Sequence, residues 1–85
     1  MEKSSVEISK FLELSFTTVN TLLCRAELNK FKDGRKYKIN IEFVDELYKL
    51  LEQRRKDQKH WEEKYKKAQM KLYQWRRKLT LLNNY

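Results

Sequence analysis

Ser4-Ser5-Val6-Glu7-Ile8-Ser9-Lys10-Phe11-Leu12-Glu13-Leu14-Ser15-Phe16-Thr17-Thr18-Val19-Asn20-Thr21-Leu22-Leu23 carries one signature twice. Ser4 and Glu7 stand at capping-box spacing, in which a serine hydroxyl and a glutamate satisfy the open amides of a helix start. Ile8, Phe11 and Leu12 then fall at i, i+3, i+4, one face of a helix. Ser15 can cap a second helix, on which Val19, Leu22 and Leu23 repeat the spacing. Two short helices about three residues apart make a helix-turn-helix arrangement.

Downstream, Leu28-Asn29-Lys30-Phe31-Lys32-Asp33-Gly34-Arg35-Lys36-Tyr37-Lys38-Ile39 contains the only Gly of the chain, directly after an Asp. Asp-Gly between alternating residues predicts a two-residue hairpin turn, because a type I′ turn needs positive φ at both positions. Leu28, Phe31, Tyr37 and Ile39 form the apolar side; Lys30, Lys32, Arg35, Lys36 and Lys38 are left to solvent. A cation-rimmed hairpin directly after a helix-turn-helix is read as a wing.

Asn40 can cap a third helix beginning near Ile41. From Val44 the positions Leu47, Leu51, Arg54, Gln58, Trp61, Tyr65, Ala68, Leu72, Trp75, Leu79 and Leu82 alternate three and four apart, the a/d pattern of a coiled coil. Only Arg54 and Gln58 are polar along that seam. The pattern predicts one continuous helix from about residue 42 to 82, roughly 60 Å long. A lone helix with this seam bare would be sticky, so it must pair in a homodimer, pack back on the head or meet a different protein. A homodimer through Trp61, Tyr65, Ala68, Leu72, Trp75, Leu79 and Leu82 is the expectation, and opposite charge between residues 42–63 and 64–85 favours antiparallel chains.

Residues 4–51 resemble the winged helix-turn-helix of the MerR-like superfamily, most of all its short excisionase-type branch. The resemblance rests on Glu7-Ile8-Ser9, Phe11-Leu12, Ser15-Phe16-Thr17-Thr18-Val19, Ala26-Glu27-Leu28, the Gly34-Arg35 tip and Tyr37-Lys38-Ile39, in that order and spacing. The family commonly has Gly where this chain has Glu13 and Ala26, so the turn must use residues that tolerate a left-handed backbone less well. The tail is similar to the coiled-coil dimerisation helix of larger MerR-like regulators or of small plasmid-partition proteins. The resemblance implies a mainly α fold: a winged helix-turn-helix head over residues 1–52 and a coiled-coil self-association helix over 53–85.

In that geometry the second helix enters the major groove of double-stranded DNA. Its outward set is Phe16, Thr17, Asn20, Thr21 and Arg25. Asn20 can pair with an adenine edge, the threonines or Phe16 can touch a thymine methyl, and Thr18 can meet a phosphate. The wing cations Lys30, Lys32, Arg35, Lys36 and Lys38 would contact phosphates, with Arg35 best placed for the minor groove.

Composition agrees with an anionic partner. The net charge is +8, and residues 64–85 hold seven Lys/Arg and no acid. The longest uncharged run, Leu14 to Cys24, is too short and polar to span a bilayer, and the N-terminus lacks the order of a signal peptide. Lone Cys24 fits a reducing cytosol, so a cytoplasmic, nucleoid-associated protein of a bacterium or mobile element is expected. Cys24 beside Leu23 is read as a small packed residue, and neither it nor His60 has a metal-ligand companion. No catalytic set or phosphate-binding Gly loop is present, so neither enzymatic activity nor a cofactor is expected. Two functions remain. One is a DNA binder acting as transcription repressor, excisionase-like recombination factor or plasmid-partition protein. The other is an adaptor whose basic helix binds an acidic protein or membrane surface.

Overall fold

The computed structural model describes residues 2–26, 32–33, 36–57 and 62–83. In chain order its elements are β1 (Glu2–Ser4), α1 (Ser5–Leu12), α2 (Phe16–Arg25), β2 (Lys32–Asp33), β3 (Lys36–Lys38), α3 (Ile41–Asp57) and α4 (Glu62–Asn83). The fold is mainly α.

The starts of α1, α2 and α3 follow their expected local chemistry. The Ser4 hydroxyl accepts from the Glu7 amide at 3.3 Å and lies 3.4 Å from the Glu7 carboxylate. The Ser15 hydroxyl accepts from the Thr18 amide at 3.2 Å, and the Asn40 side-chain carbonyl from the Phe43 amide at 2.8 Å. Glu13 ends α1 in the left-handed region, φ 57° and ψ 37°. The Leu14 amide then donates to the Ser9 carbonyl (3.1 Å) and the Glu13 amide to Lys10 (3.2 Å), the paired bonds of a Schellman motif. Ala26, by contrast, closes α2 at φ −78°, a conformation any residue takes, so no Gly is needed there.

The small sheet has the order β1-β3-β2 and is antiparallel throughout. β1 has no apolar alternation and is a strand because Glu2, Lys3 and Ser4 pair with Lys38, Tyr37 and Lys36. Asp33 is a strand residue paired with Lys36, not the first residue of a turn as the Asp-Gly pair suggests, and Gly34 and Arg35 lie outside the described residues. Burial of Tyr37 on the central strand sets that register.

One core gathers side chains from every helix: Ile8 and Leu12; Val19, Leu22 and Leu23; Phe43, Val44, Leu47 and Leu51; and Tyr65, Ala68, Leu72 and Trp75. The expected unbroken helix over 42–82 is therefore corrected. α3 ends at Asp57, α4 begins at Glu62, and α4 lies back along α3 and α1. The cross-links are antiparallel: Arg76 Nε to Asp45 Oδ1 at 2.6 Å, and Arg54 Nε to the Tyr65 hydroxyl at 3.2 Å. Arg54, one of the two polar residues of the seam, thus has a partner on α4 of the same chain. Buried Gln69 is satisfied at both ends, accepting from Arg55 at 3.0 Å and donating to the Tyr48 carbonyl at 3.4 Å. A heptad seam complementary to itself can close within one chain, where the short connection keeps the partner at high effective concentration.

Candidate nucleic-acid interface

α2 is amphipathic with a sharp division. Val19, Leu22 and Leu23 are buried, whereas Phe16, Thr17, Asn20, Cys24 and Arg25 are exposed, and Thr18 and Thr21 are half-buried. At about 100° per residue, Phe16, Asn20, Cys24, Thr17 and Thr21 share an arc of roughly 140°. Two hydroxyls on this helix are already committed. Thr18 lies 2.7 Å from the capping Ser15 hydroxyl, and the Thr21 hydroxyl donates to the Thr17 carbonyl at 2.9 Å. Thr18 is thus a capping residue first, and a phosphate would have to share it. No described side chain holds the Asn20 amide, which leaves both its donor and its acceptor for a base edge.

Cys24 was expected in the core and is corrected to the surface. It lies four residues from Asn20 and seven from Thr17, so it sits near the middle of the outward arc. That spacing was the signal that could have placed it, and proximity to Leu23 hid it.

The hairpin approaches the same helix. Burial pushes the Tyr37 phenol above its ordinary range, the neighbouring Cys24 thiol pushes the same way, and a hydrogen bond from Ser5 partly offsets both. Tyr37 is buried, and its ring packs on Phe43 of α3 with centroids 6.0 Å apart at 49°. Its neighbours Lys36 and Lys38 are exposed on the other side of the strand. Of the other expected wing cations, Lys30 and Arg35 lie outside the described residues, as does the side chain of Lys32.

The expected self-association residues divide differently. Tyr65, Ala68, Leu72 and Trp75 are buried within the chain, Leu79 is half-buried against the same core, and Leu82 is exposed. Trp61 lies outside the described residues. The Trp75 ring packs on Phe11 of α1 with centroids 4.8 Å apart at 54°.

Between Leu14 and Ala26 the chain has no carboxylate, and Arg25 is the one charge. An acid-free helix face can approach a polyanion without like-charge repulsion. Among the described residues no group of His, Cys, Asp and Glu is placed to hold a metal ion, and no helix is long and apolar enough to cross a membrane. No protein-family model matches this chain, and neither the curated proteins nor the solved structures give a match.

Proposed function

We propose that this chain binds double-stranded DNA as a winged helix-turn-helix, with α2 in the major groove and the β2–β3 hairpin against the flanking phosphates. The observation that carries the proposal is the outward face of α2. Phe16, Thr17, Asn20 and Cys24 are exposed together on a helix face without a carboxylate, and Lys36 and Lys38 are exposed on the hairpin. Asn20 reads a base, Phe16 and Thr17 supply apolar contact to thymine methyls, and the lysines position the duplex. The role belongs to the cytoplasm, as repressor, excisionase-like recombination factor or partition protein, and it involves no catalytic step.

The unit that meets DNA is the single chain. A dimer built on the heptad seam would have to pull Tyr65, Ala68, Leu72 and Trp75 out of the core they share with α1 and α3. Fluorescence anisotropy on duplexes selected from a random pool tests the proposal. With about four to six phosphates contacted, log K against log salt should slope by roughly −4 to −5. A flat salt response, or failure to enrich any sequence, would sink it.

A further inference from the structure

The outer face of α4 carries a second surface that DNA binding through α2 does not use. Lys66, Met70, Tyr73, Arg77 and Leu81 fall within an arc of roughly 80° at about 100° per residue, forming one stripe along the helix. Its apolar members are open: Met70 is 65% exposed, Tyr73 57% and Leu81 58%. Tyr48 of α3, 38% exposed, flanks them across the α3–α4 junction. There the two helices form a groove of about 450 Å³ lined by Tyr48, Met70 and Tyr73, with Arg55, Lys66 and Arg77 at its rim. No residue of α1, α2 or the hairpin lines it, and neither does any carboxylate.

Scattered exposed apolar residues need no explanation, but Tyr48, Met70 and Tyr73 lining one groove, with Leu81 continuing the stripe beyond it, do. The flanking charge selects the occupant. α4 beyond Glu63 has no acidic residue, so α4 of a second copy would offer Lys66 and Arg77 no carboxylate there. A DNA backbone would satisfy the rim cations but offers nothing to Met70, Tyr73 and Leu81. A partner helix with an apolar ridge flanked by carboxylates satisfies both. Methionine and tyrosine floors are suited to such ridges, because one adapts its shape and the other adds a polar tip.

We infer that the α3–α4 groove is a docking site for an acidic amphipathic helix of another protein. The stripe from Lys66 to Leu81 is roughly 22 Å long, room for about four helical turns. The partner lays its apolar i, i+3/i+4, i+7 positions along Met70, Tyr73 and Leu81, and its carboxylates reach Arg55, Lys66 and Arg77. The site does not depend on DNA binding.

The test titrates the full-length, isotope-labelled chain with a synthetic 16-residue helical peptide carrying a leucine ridge and glutamates elsewhere. The expected result is saturable binding, with amide shifts confined to the groove face of α3 and α4. Binding should fall at least tenfold in Tyr73→Ser and in Arg77→Glu, both exposed positions, while DNA affinity stays within twofold. Any one of these results would overturn the inference: equal binding of a peptide with lysine for glutamate, or of one with serine for leucine; shifts centred elsewhere; anionic phospholipid vesicles binding the stripe while the peptide does not; or sedimentation showing a dimer that Tyr73→Ser dissolves. Equal loss of DNA affinity in both variants would reassign the stripe to the DNA interface and also end it.

Discussion

Lys71 of α4 reaches back across the fold to Glu13, its Nζ 2.6 Å from Oε2, and Glu13 is the one non-glycine residue with positive φ among those described. The turn between α1 and α2 is thus held from the far end of the chain. The Lys71 ammonium also lies 6.0 Å from the centroid of the Phe11 ring, which itself covers Trp75. The hydrogen bond and charge of Lys71, with a smaller contribution from Lys67, hold the Glu13 carboxyl below the usual glutamate range. A carboxyl depressed in the folded state adds stability above its unfolded pKa and loses it as pH falls through the folded value. The Glu13 contribution should therefore be complete at neutral pH and disappear on acidification below the ordinary glutamate range. An NMR titration of the Glu13 carboxyl should show its midpoint rise in Lys71→Met. An unchanged midpoint would mean that the ion pair does not persist in solution.

The same residue allows a backbone test. Glu13→Ala removes the ion pair and keeps the Cβ that disfavours the left-handed region, whereas Glu13→Gly removes both. Urea midpoints should place the Gly variant above the Ala variant. Equal midpoints would mean that the left-handed turn carries no cost.

Leu72 is fully buried on α4, so Leu72→Ala should cost about 2–5 kcal/mol in a single cooperative unfolding transition. Removing residues 58–85 strips Tyr65, Ala68, Leu72 and Trp75 from the core and leaves a chain too short to replace them. The truncated chain should lose dispersed amide resonances, and the intact chain should sediment as a monomer at micromolar concentration. A well-folded 1–57 fragment would show that the head stands alone and that α4 is an appendage.

What could be read from the residues was local. Ser4, Ser15 and Asn40 each cap the helix expected of them, because a cap and its amide lie within one turn. The buried apolar residues of α1 to α3 followed from spacing, although Phe11 of the expected α1 face is 40% exposed. The heptad marked Val44, Leu47, Leu51, Tyr65, Ala68, Leu72 and Trp75, all buried, as residues that need a helical partner, whereas Leu82 at its end is exposed; its period is the same whether that partner is a second chain or α3. Periodicity carries no information on connectivity. The β1 strand exists only through pairing with β3, and the Lys71–Glu13 contact joins residues 58 apart, so neither leaves a local trace. At the candidate interface the polar face of α2 was legible, and Cys24 was misplaced by giving its neighbour more weight than its helical position.

Hairpin and helix substitutions should differ in kind. If the proposed complex forms, Lys36→Ala should weaken binding to every sequence alike and lower the salt slope by about one. Asn20→Ala should cost about 1–3 kcal/mol against the preferred base at one position and relax selection there. Anisotropy on a panel of single-base variants separates the two. A uniform loss with Asn20→Ala would remove α2 from the major groove.

Cys24 offers a footprint of that groove contact without changing the sequence. The thiol is exposed near the centre of the α2 face that Asn20 and Thr17 share, and it is the only cysteine of the chain. A duplex seated on that face shields it, because base edges in the major groove approach a recognition helix closely enough to exclude a bulky aromatic disulfide. In free protein, Ellman's reagent should modify Cys24 fully in one phase. Saturating specific duplex should slow that phase at least tenfold, and high salt should restore the rate as the complex dissociates. The converse should hold as well. Alkylation of Cys24 with N-ethylmaleimide adds bulk where the bases must pass and should abolish specific binding, whereas Cys24→Ser, which keeps the size and polarity of the face, should retain it. If bound duplex left the thiol reacting at its free rate, DNA would be contacting the chain through some surface other than α2.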